Sequence, residues 1–270
     1  MTPFPLTWLY VPGDRPQVVT KALAAGADVV VIDLEDAVAP DRKEYARAAT
    51  AERLGEPQPV PVHVRVNALD GPWASADLTA LAAPAGVSGL RLPKVTSADE
   101  IRRVAAVTPL SLYALLESAL GIEHAYAIAT AHPSLRGVSL GEADLRADLG
   151  VRADAGLDWP RSRVVVAARA AGLAPPPQSV HPDIRDLEGL ASSCAHGRAL
   201  GFLGRAAIHP RQLPVIQQAY LPTPAEIEEA ETIIKAAAAN EGAQALPDGR
   251  FVDAAVVATA RRTLSQARRE

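Results

Sequence analysis

The chain has 270 residues, of which 49% are hydrophobic, and this is enough for one large domain with a full apolar core. Its formal net charge is −4 and its basic residues form no stripe, so neither nucleic acid nor an anionic membrane is expected as a partner. The lone cysteine, Cys194, excludes an internal disulfide framework and a thiolate metal cluster, and it suits a reducing cytoplasm.

The first fourteen residues, "MTPFPLTWLYVPGD", carry no basic segment and only a short apolar run interrupted by proline. This pattern predicts neither a secretory signal peptide nor a membrane span. We therefore expect a soluble protein located in the cytoplasm.

Eight short apolar runs follow one another along the chain and predict strands. They cover residues 6–11, 29–34, 61–66, 89–94, 110–117, 137–142, 179–183 and 206–210. Alanine-rich stretches with helical periodicity lie between most of them, which is the alternation expected of a parallel sheet. Because no G-x-G-x-x-G turn follows the first strand, a (β/α)8 TIM barrel is favoured over an open doubly wound sheet, which remains the alternative.

A helical extension follows the eighth predicted strand. Thr223, Pro224 and Glu226 form the pattern of a capping box with proline at the first helical position. A last helix with a basic end is predicted in "FVDAAVVATARRTLSQARRE". We expect a barrel catalytic domain over residues 1–220 and a C-terminal extension over 221–270, part of the same domain, which is either a ninth helix packed on the barrel or a lid.

Polar residues stand at the end of nearly every predicted strand. In chain order they are Asp14 and Arg15; Asp33, Glu35 and Asp36; Arg65 and Asn67; Lys94; Glu117 and Ser118; Glu142 and Asp144; His181 and Asp183; and His209. The carboxyl ends of barrel strands meet at one rim around one cavity, and catalytic groups come from there. The sequence therefore predicts an active site at this rim.

Glu117 is the most informative of these acids, because apolar residues flank it on both sides in "LYALLESALGI". An ionised carboxylate is costly in such surroundings unless a cation or a donor compensates it. Together with Asp144, at the end of the next predicted strand, it would form the sparse oxygen-ligand set that Mg2+ favours. The alternative is that Glu117 pairs with an arginine of the rim.

Two basic residues admit more than one role. Arg65 is equally suited to bind a substrate carboxylate or oxyanion and to neutralise Asp33 or Glu35. Lys94 is the one lysine of four that falls at a predicted strand end. A Schiff-base lysine would make the protein a metal-free aldolase, but the acids at Glu117 and Asp144 argue against it.

Several of these segments together resemble the citrate lyase beta subunits and their malyl-CoA lyase relatives. The resemblance covers about residues 6–262 and rests on the order of "VIDLEDAVAPDRKEYAR", "HVRVN", "LRLPKV", "ALLESALGI", "SLGEADLRADLG", "GFLGRAAIHPRQ" and "GRFVDAAVVATARR". It implies a Mg2+-dependent (β/α)8 lyase that acts on 3-hydroxyacyl thioesters and assembles as a homotrimer or hexamer. The two departures from the family pattern are Gln178, where an acid is common, and Arg205, where lysine is common.

The resemblance also implies roles for individual residues. Asp33, Glu35 and Asp36 would surround Arg65 and metal-bound water, and Arg15 would lie on the side of the thioester carrier. Asp253 would match an acid delivered by the C-terminal lid of a neighbouring subunit, although locally it is also a good N-cap for the last helix. The expected site residues are, for catalysis, Arg65, Asp253, Glu35 and Asp36; for substrate binding, Arg65, Glu117, Arg15 and Asp33; and for the metal, Glu117 and Asp144.

The reaction that the resemblance implies is cleavage of a citryl, citramalyl or malyl thioester to an acetyl thioester and a 2-oxo acid such as oxaloacetate. Two alternatives remain: a metal-dependent aldolase that acts on free hydroxy-keto acids, and a non-catalytic subunit that docks an acyl-carrier partner. Whether the carrier is coenzyme A or an acyl-carrier protein stays open.

Overall fold

The computed structural model describes residues 4–82, 84–239, 244–245 and 250–267. The chain divides into two compact units. The larger unit is Pro5–Ala219, and the smaller one comprises the chain from Tyr220 onward together with Phe4.

Seven parallel strands form the sheet of the larger unit. They are β1 (Thr7–Pro12), β2 (Val29–Asp33), β3 (Val62–Arg65), β4 (Gly89–Leu92), β5 (Leu112–Leu116), β6 (Leu135–Leu140) and β7 (Arg205–Ala207). Their order in the sheet is β6-β5-β4-β3-β2-β1-β7. Each of the seven overlaps one of the predicted strands, because a strand buried on both faces reads as a continuous apolar run.

Helices lie in the connections between the seven strands and also follow the last of them. Within the described residues they are α1 (Pro16–Leu23), α2 (Lys43–Arg53), α3 (Ala74–Ala80), α4 (Ala98–Ala105), α5 (Ala119–Glu123), α6 (Ala125–Ala129), α7 (Glu142–Leu149), α8 (Asp158–Ala170), α9 (Leu187–Leu200), α10 (Leu213–Tyr220), α11 (Pro224–Ala239) and α12 (Ala254–Ala267). None of these helices has both the length and the apolar character needed to cross a membrane.

The predicted strand at residues 179–183 is wrong. A single bridge forms just before this segment, between Gln178 and Arg205 of β7. Residues 175–177 are prolines and Pro182 is a fourth, and proline has no N–H with which to continue a ladder of hydrogen bonds. The eighth position beside β7 is therefore held by one residue rather than by a regular strand.

The sheet nevertheless curls. β6 and β7 lie at opposite ends of the strand order, yet Ser139 of β6 and Ala206 of β7 line the same cavity. In the described part of the chain, the predicted closed ring of eight strands becomes an open barrel of seven. The parallel sheet with helices between its strands is as predicted.

The smaller unit contains α11, α12 and a short antiparallel pair, β8 (Gln244–Ala245) and β9 (Phe251–Val252). The predicted capping box is confirmed: Glu226 accepts from the Thr223 N–H at 2.7 Å, and the Thr223 hydroxyl accepts from the Glu226 N–H at 3.2 Å. Ala230, Ile233, Val252 and Ala260 form the apolar core of this unit.

Candidate active site

A cavity of about 440 Å3 opens at the carboxyl ends of the strands. Its wall includes Asp33 from the end of β2, Arg65 from the end of β3, Glu117 directly after β5, and Asp144. Parallel strands bring their carboxyl ends to one edge, so side chains that are distant in the sequence converge on one volume.

Arg65 is held by two of the predicted acids. Asp33 is its register neighbour on β2, and it accepts from Arg65 Nε at 2.7 Å and from Nη2 at 2.6 Å. Glu35 forms an ion pair with Arg65 Nη1 at 2.8 Å. The structure therefore shows the neutralising role. A guanidinium has five N–H groups and Asp33 accepts from two of them, so donors also remain for a substrate oxygen.

Glu117 is buried, with 4% of its surface exposed. Its Oε2 accepts from the backbone N–H of Lys94 at 3.0 Å. A Cβ at position 141 would lie 2.2 Å from Glu117 Oε1, so Gly141 leaves the space that this carboxylate occupies. Burial raises the pKa of Glu117 to about 7, and Glu35 adds to the rise, although Arg65 and Lys94 oppose it.

Asp144 lies in the first turn of α7 and not at the end of a strand, because β6 already ends at Leu140. Lys94 Nζ is 3.9 Å from Asp144 Oδ1 and 4.0 Å from Glu117 Oε2. One cationic atom is thus within ion-pair distance of both carboxylates, which flank a common position. The proposed alternative for Glu117, pairing with a rim arginine, is not observed among the described residues.

The donor set suits a hard divalent cation. Two carboxylates supply oxygen ligands, and Mg2+ keeps several waters when it is bound by one or two carboxylates. Across the described ranges, no group of three or more His, Cys, Asp and Glu side chains is arranged to hold a metal. An ion between Glu117 and Asp144 would therefore take its other ligands from water or substrate.

Lys94 links the acids of the rim. Its ammonium forms an ion pair with Glu35 and lies 3.8 Å from Asp36 Oδ2. Burial lowers the pKa of Lys94, but the hydrogen bond to Glu35 and the surrounding carboxylates outweigh it, so the net pKa is raised. A Schiff base needs the neutral amine, so this environment disfavours the metal-free aldolase.

The backbone of Lys94 is also unusual. Its φ is 55°, and it is the one non-glycine residue in the described chain with a positive φ. This left-handed conformation is unfavourable for a residue with a side chain and persists where the surroundings enforce it. Here it directs the N–H of Lys94 at Glu117, so the turn after β4 positions a site carboxylate.

The rim carries an excess of negative charge. Asp33, Glu35, Asp36, Glu117 and Asp144 face two cations, Arg65 and Lys94. Burial raises the pKa of Glu35, and the Asp36 carboxylate adds to it, while Arg65 and Lys94 oppose the rise. Such a cluster favours binding of a further cation.

Lys43 is a supporting residue that the sequence interpretation missed. It is buried, and its ammonium donates to the backbone oxygens of Leu34 and Glu35, each at 2.7 Å, and to Asn67 Oδ1 at 2.6 Å. It therefore fixes the loop after β2 that carries the rim acids. The sequence feature that could have identified Lys43 is its place inside the "VIDLEDAVAPDRKEYAR" motif, as one of only four lysines.

Two of the predicted residues have other local contacts in the structure. Arg15 is exposed on the loop after β1, with its Nε 4.0 Å from Asp14 Oδ1. Asp253 belongs to the smaller unit, where its Oδ1 accepts from the N–H groups of Ala255 and Val256 at 2.9 Å each. Asp253 is thus the N-cap of α12, and its catalytic role stays a prediction.

The two departures from the family pattern contact each other. Arg205 Nη1 donates to Gln178 Oε1 at 3.4 Å and to Ser193 Oγ at 2.9 Å. Gln178 Nε2 donates to the Ser193 carbonyl at 3.1 Å. Both side chains are buried, and they tie the segment beside β7 to α9.

A model of the HpcH/HpaI aldolase/citrate lyase family matches residues 6–210. A (3S)-malyl-CoA thioesterase of Cereibacter sphaeroides is 39% identical over 273 residues, covering 96% of this chain and 93% of that protein. Citrate lyase subunit beta of Escherichia coli is 34% identical and covers 96% of this chain and 92% of that protein.

Solved structures point to the same family as these sequence comparisons. A crystal structure of CitE from Mycobacterium tuberculosis in complex with magnesium, acetoacetate and coenzyme A matches with a TM-score of 0.85 at 36% identity, covering 97% of this chain and 98% of that one. A citrate lyase beta subunit from the same organism, complexed with oxaloacetate and magnesium, matches with a TM-score of 0.71 at 36% identity, covering 81% and 97%. The resemblance carried by the motifs is therefore confirmed, and the chain belongs to the HpcH/HpaI aldolase/citrate lyase family.

Proposed function

We propose that this protein is a Mg2+-dependent carbon–carbon lyase. Its substrate is a 3-hydroxyacyl thioester of the citryl, citramalyl or malyl type, and its products are an acetyl thioester and a 2-oxo acid such as oxaloacetate. The observation that carries the proposal is the convergence of Glu117 and Asp144 on one cation position, in the cavity that Arg65 also lines. Solved relatives with magnesium and either acetoacetate and coenzyme A or oxaloacetate support it.

Glu117 and Asp144 would hold the ion. A bound Mg2+ would supply Lewis-acid chemistry, which offsets the negative charge that develops on the reacting oxygen. The chain prepares this place, because Gly141 leaves room for the Glu117 carboxylate and the Lys94 N–H orients it. The Lys94 side chain is 41% exposed, so its ammonium is free to move toward solvent when an ion arrives.

Arg65 would bind the carboxylate and keto oxygens of the 2-oxo acid. Asp33 holds the guanidinium through two hydrogen bonds, so its orientation is fixed before substrate enters. A positive charge fixed in this way stabilises charge that develops on the reacting oxygen. Glu35 and Asp36 would keep Arg65 in place beside these oxygens.

Cleavage also requires proton transfer. The substrate hydroxyl gives its proton to water, and the bond between the carbinol carbon and the acetyl carbon breaks with its electron pair passing to the acetyl thioester as an enolate. The enolate then takes up one proton, so no net proton is consumed. We assign the donation of this proton to Asp253, which a neighbouring subunit of a homotrimer or hexamer would bring to the site. Arg15 would lie toward the thioester carrier.

Hydrolysis of a malyl thioester is a second candidate function. The observation that favours it is the 39% identity to proteins named (3S)-malyl-CoA thioesterase. Hydrolysis would give free malate and coenzyme A, whereas lysis of the same compound gives acetyl-CoA and glyoxylate.

Product analysis separates these functions. Purified protein is incubated with citryl-CoA, citramalyl-CoA, malyl-CoA and free hydroxy-keto acids, in Mg2+ or in EDTA, and the products are identified by mass spectrometry. The lyase gives acetyl-CoA and a 2-oxo acid in Mg2+ only. Free hydroxy acid with coenzyme A indicates the thioesterase, and turnover without a thioester indicates the free-acid aldolase.

Glu117→Gln tests the proposed ligand in the same assay. We expect it to lower turnover at least about a hundredfold, the scale seen when one electrostatic stabiliser of a transition state is removed. Asp99→Asn, at an exposed carboxylate of α4 that pairs with Arg102, is the matched control. Full activity of Glu117→Gln, or no turnover by wild-type protein on any thioester, contradicts the proposal; the latter outcome fits the non-catalytic docking subunit.

A further inference from the structure

Arg91 is a buried arginine for which the proposed reaction has so far given no role. It lies on β4, is 3% exposed, and lines the active-site cavity. Buried charges in proteins are normally paired. Within the described ranges, Arg91 forms no ion pair, since no carboxylate lies within 4.0 Å of its nitrogens.

Its protein contacts are aromatic. The guanidinium carbon lies 5.8 Å from the ring centroids of Trp8 and Tyr10 and 5.6 Å from that of Tyr113. Its only hydrogen bond among the described residues is a long one, from Nη1 to the Tyr10 hydroxyl at 3.4 Å, and Nε has no partner. Aromatic faces attract a cation, but they carry no net charge to neutralise it.

The neighbouring Arg65 differs from Arg91 in its charge partners. Arg65 and Arg91 are register partners on adjacent strands, and both guanidinium carbons lie within 6 Å of the Tyr10 ring, at 5.5 and 5.8 Å. Arg65 has the carboxylates of Asp33 and Glu35, whereas Arg91 has no such partner in the described structure. His63, also buried there, cannot supply a negative charge, and burial lowers its pKa well below the usual range.

We propose that Arg91 binds a second carboxylate of the substrate, the one that remains on the 2-oxo acid after cleavage. Arg65 would hold the carboxylate next to the keto group, and Arg91 would hold the distal one across the Tyr10 ring. Arg91 is then a specificity-determining residue that selects 2-oxo acids with two carboxylates over those with one. This assignment rests on the proposed lyase function.

Binding of two product acids tests it. The affinities of oxaloacetate, which has two carboxylates, and pyruvate, which has one, are measured by calorimetry in Mg2+ for wild-type protein and for Arg91→Met. We expect wild-type protein to prefer oxaloacetate and Arg91→Met to lose at least about tenfold of the oxaloacetate affinity, because a buried charge pair is removed. Pyruvate affinity should stay within about twofold, since its carboxylate is held elsewhere.

Arg91→Lys is the second variant, because it keeps the charge without the forked geometry. It should retain part of the preference for oxaloacetate, and pyruvate binding by either variant reports that the site is folded. The assignment is overturned if Arg91→Met loses affinity for oxaloacetate and pyruvate equally. It is also overturned if wild-type protein binds the two acids with equal affinity. A chloride ion as counter-charge, detected as chloride-dependent affinity without any preference for oxaloacetate, overturns it as well.

The failure of the proposed function looks different. If wild-type protein binds neither acid in a Mg2+-dependent way, the lyase proposal fails and the Arg91 assignment fails with it. If both acids bind equally and only in Mg2+, the lyase proposal stands and only the role of Arg91 is contradicted.

Discussion

At the scale of single residues, the protonation of Glu117 is set by its surroundings. Burial opposes the charged form, and Glu35 and Asp144 repel it further, so the pKa of this carboxyl rises from its ordinary value to about 7. Without a bound metal, the Glu117 carboxyl of the folded protein therefore stays protonated at pH values at which the same group of the unfolded chain is ionised.

The sign of the resulting pH dependence follows from this difference. Between pH 4.5 and 7 the folded state binds more protons than the unfolded state, so the free energy of unfolding falls as pH rises. Glu117→Gln removes this contribution to the pH dependence of the free energy of unfolding, because glutamine does not titrate. In EDTA, denaturant unfolding should show the variant gaining up to about 3 kcal/mol on wild-type protein between pH 5 and 7.5. Parallel stability curves for the two proteins would contradict this prediction.

Much of the site at this scale was predictable, because an acid within an apolar run has few explanations. Glu117 was identified in this way, and the other acids were identified by their positions at the ends of predicted strands. The partner of Arg65 was not decided by sequence, since it depends on which side chains the strand register brings together. Arg91 was missed, although an arginine inside the apolar run "GLRLP" is itself a signal of a buried charge.

At the scale of elements, the start of α7 is fixed by a neighbouring helix. Arg161 of α8 is buried and donates to both oxygens of Glu142, the first residue of α7, at 2.9 and 2.7 Å. It also donates to Asp154 at 2.7 Å, and this hydrogen bond lowers the pKa of Asp154 to about 2. Asp144 lies two residues after Glu142, so we expect the position of its carboxylate to depend on Arg161.

Arg161→Met should loosen this connection. Removing one partner of a buried ion pair leaves the remaining charges unpaired, so we expect a loss of about 3 kcal/mol in the free energy of unfolding and weaker Mg2+ binding. Arg102→Met is the matched control, because its ion pair with Asp99 is exposed and contributes little. Equal unfolding free energies for the two variants, measured in urea, would show that α7 does not depend on Arg161.

The strands were predictable to within a few residues, but their ends were not. Asp144 was expected at a strand end, whereas a helix begins at Glu142 directly after Gly141. The strand expected at residues 179–183 fails because Pro182 within it and the prolines at 175–177 before it cannot donate hydrogen bonds. Apolar runs indicate burial, but the backbone hydrogen bonds decide whether a buried segment joins a sheet.

At the scale of the whole molecule, the proposal combines residues from two subunits. Asp253 caps α12 in the smaller unit, and the family resemblance implies that it acts in a neighbouring subunit. Asp253→Asn separates the capping role from the catalytic one, because asparagine caps a helix about as well as aspartate but cannot transfer a proton.

Mixing two inactive variants tests this arrangement. Co-expressed Asp253→Asn and Glu117→Gln chains should recover activity, because some sites then take Glu117 from one chain and Asp253 from the next. With random mixing, about a quarter of the sites of a cyclic oligomer are complete. No recovery, in a preparation that light scattering shows to be a trimer or hexamer of both chains, would show that Asp253 does not act across subunits.

The curled parallel sheet was predictable from the alternation of apolar runs and helices. Closure of the barrel was not, because it depends on whether the segment at Gln178 pairs on both sides, and the described structure shows only its bridge to β7. Assembly into a trimer or hexamer remains a prediction from the family resemblance.

The central claim is that Glu117 and Asp144 share one divalent ion, and titration calorimetry with Mg2+ tests it most directly. Wild-type protein should bind one ion per chain, and Glu117→Gln and Asp144→Asn should each weaken binding at least about tenfold, because each removes one of two carboxylate ligands. Asp99→Asn should bind as wild type does. Unchanged Mg2+ affinity in both site variants would contradict the claim.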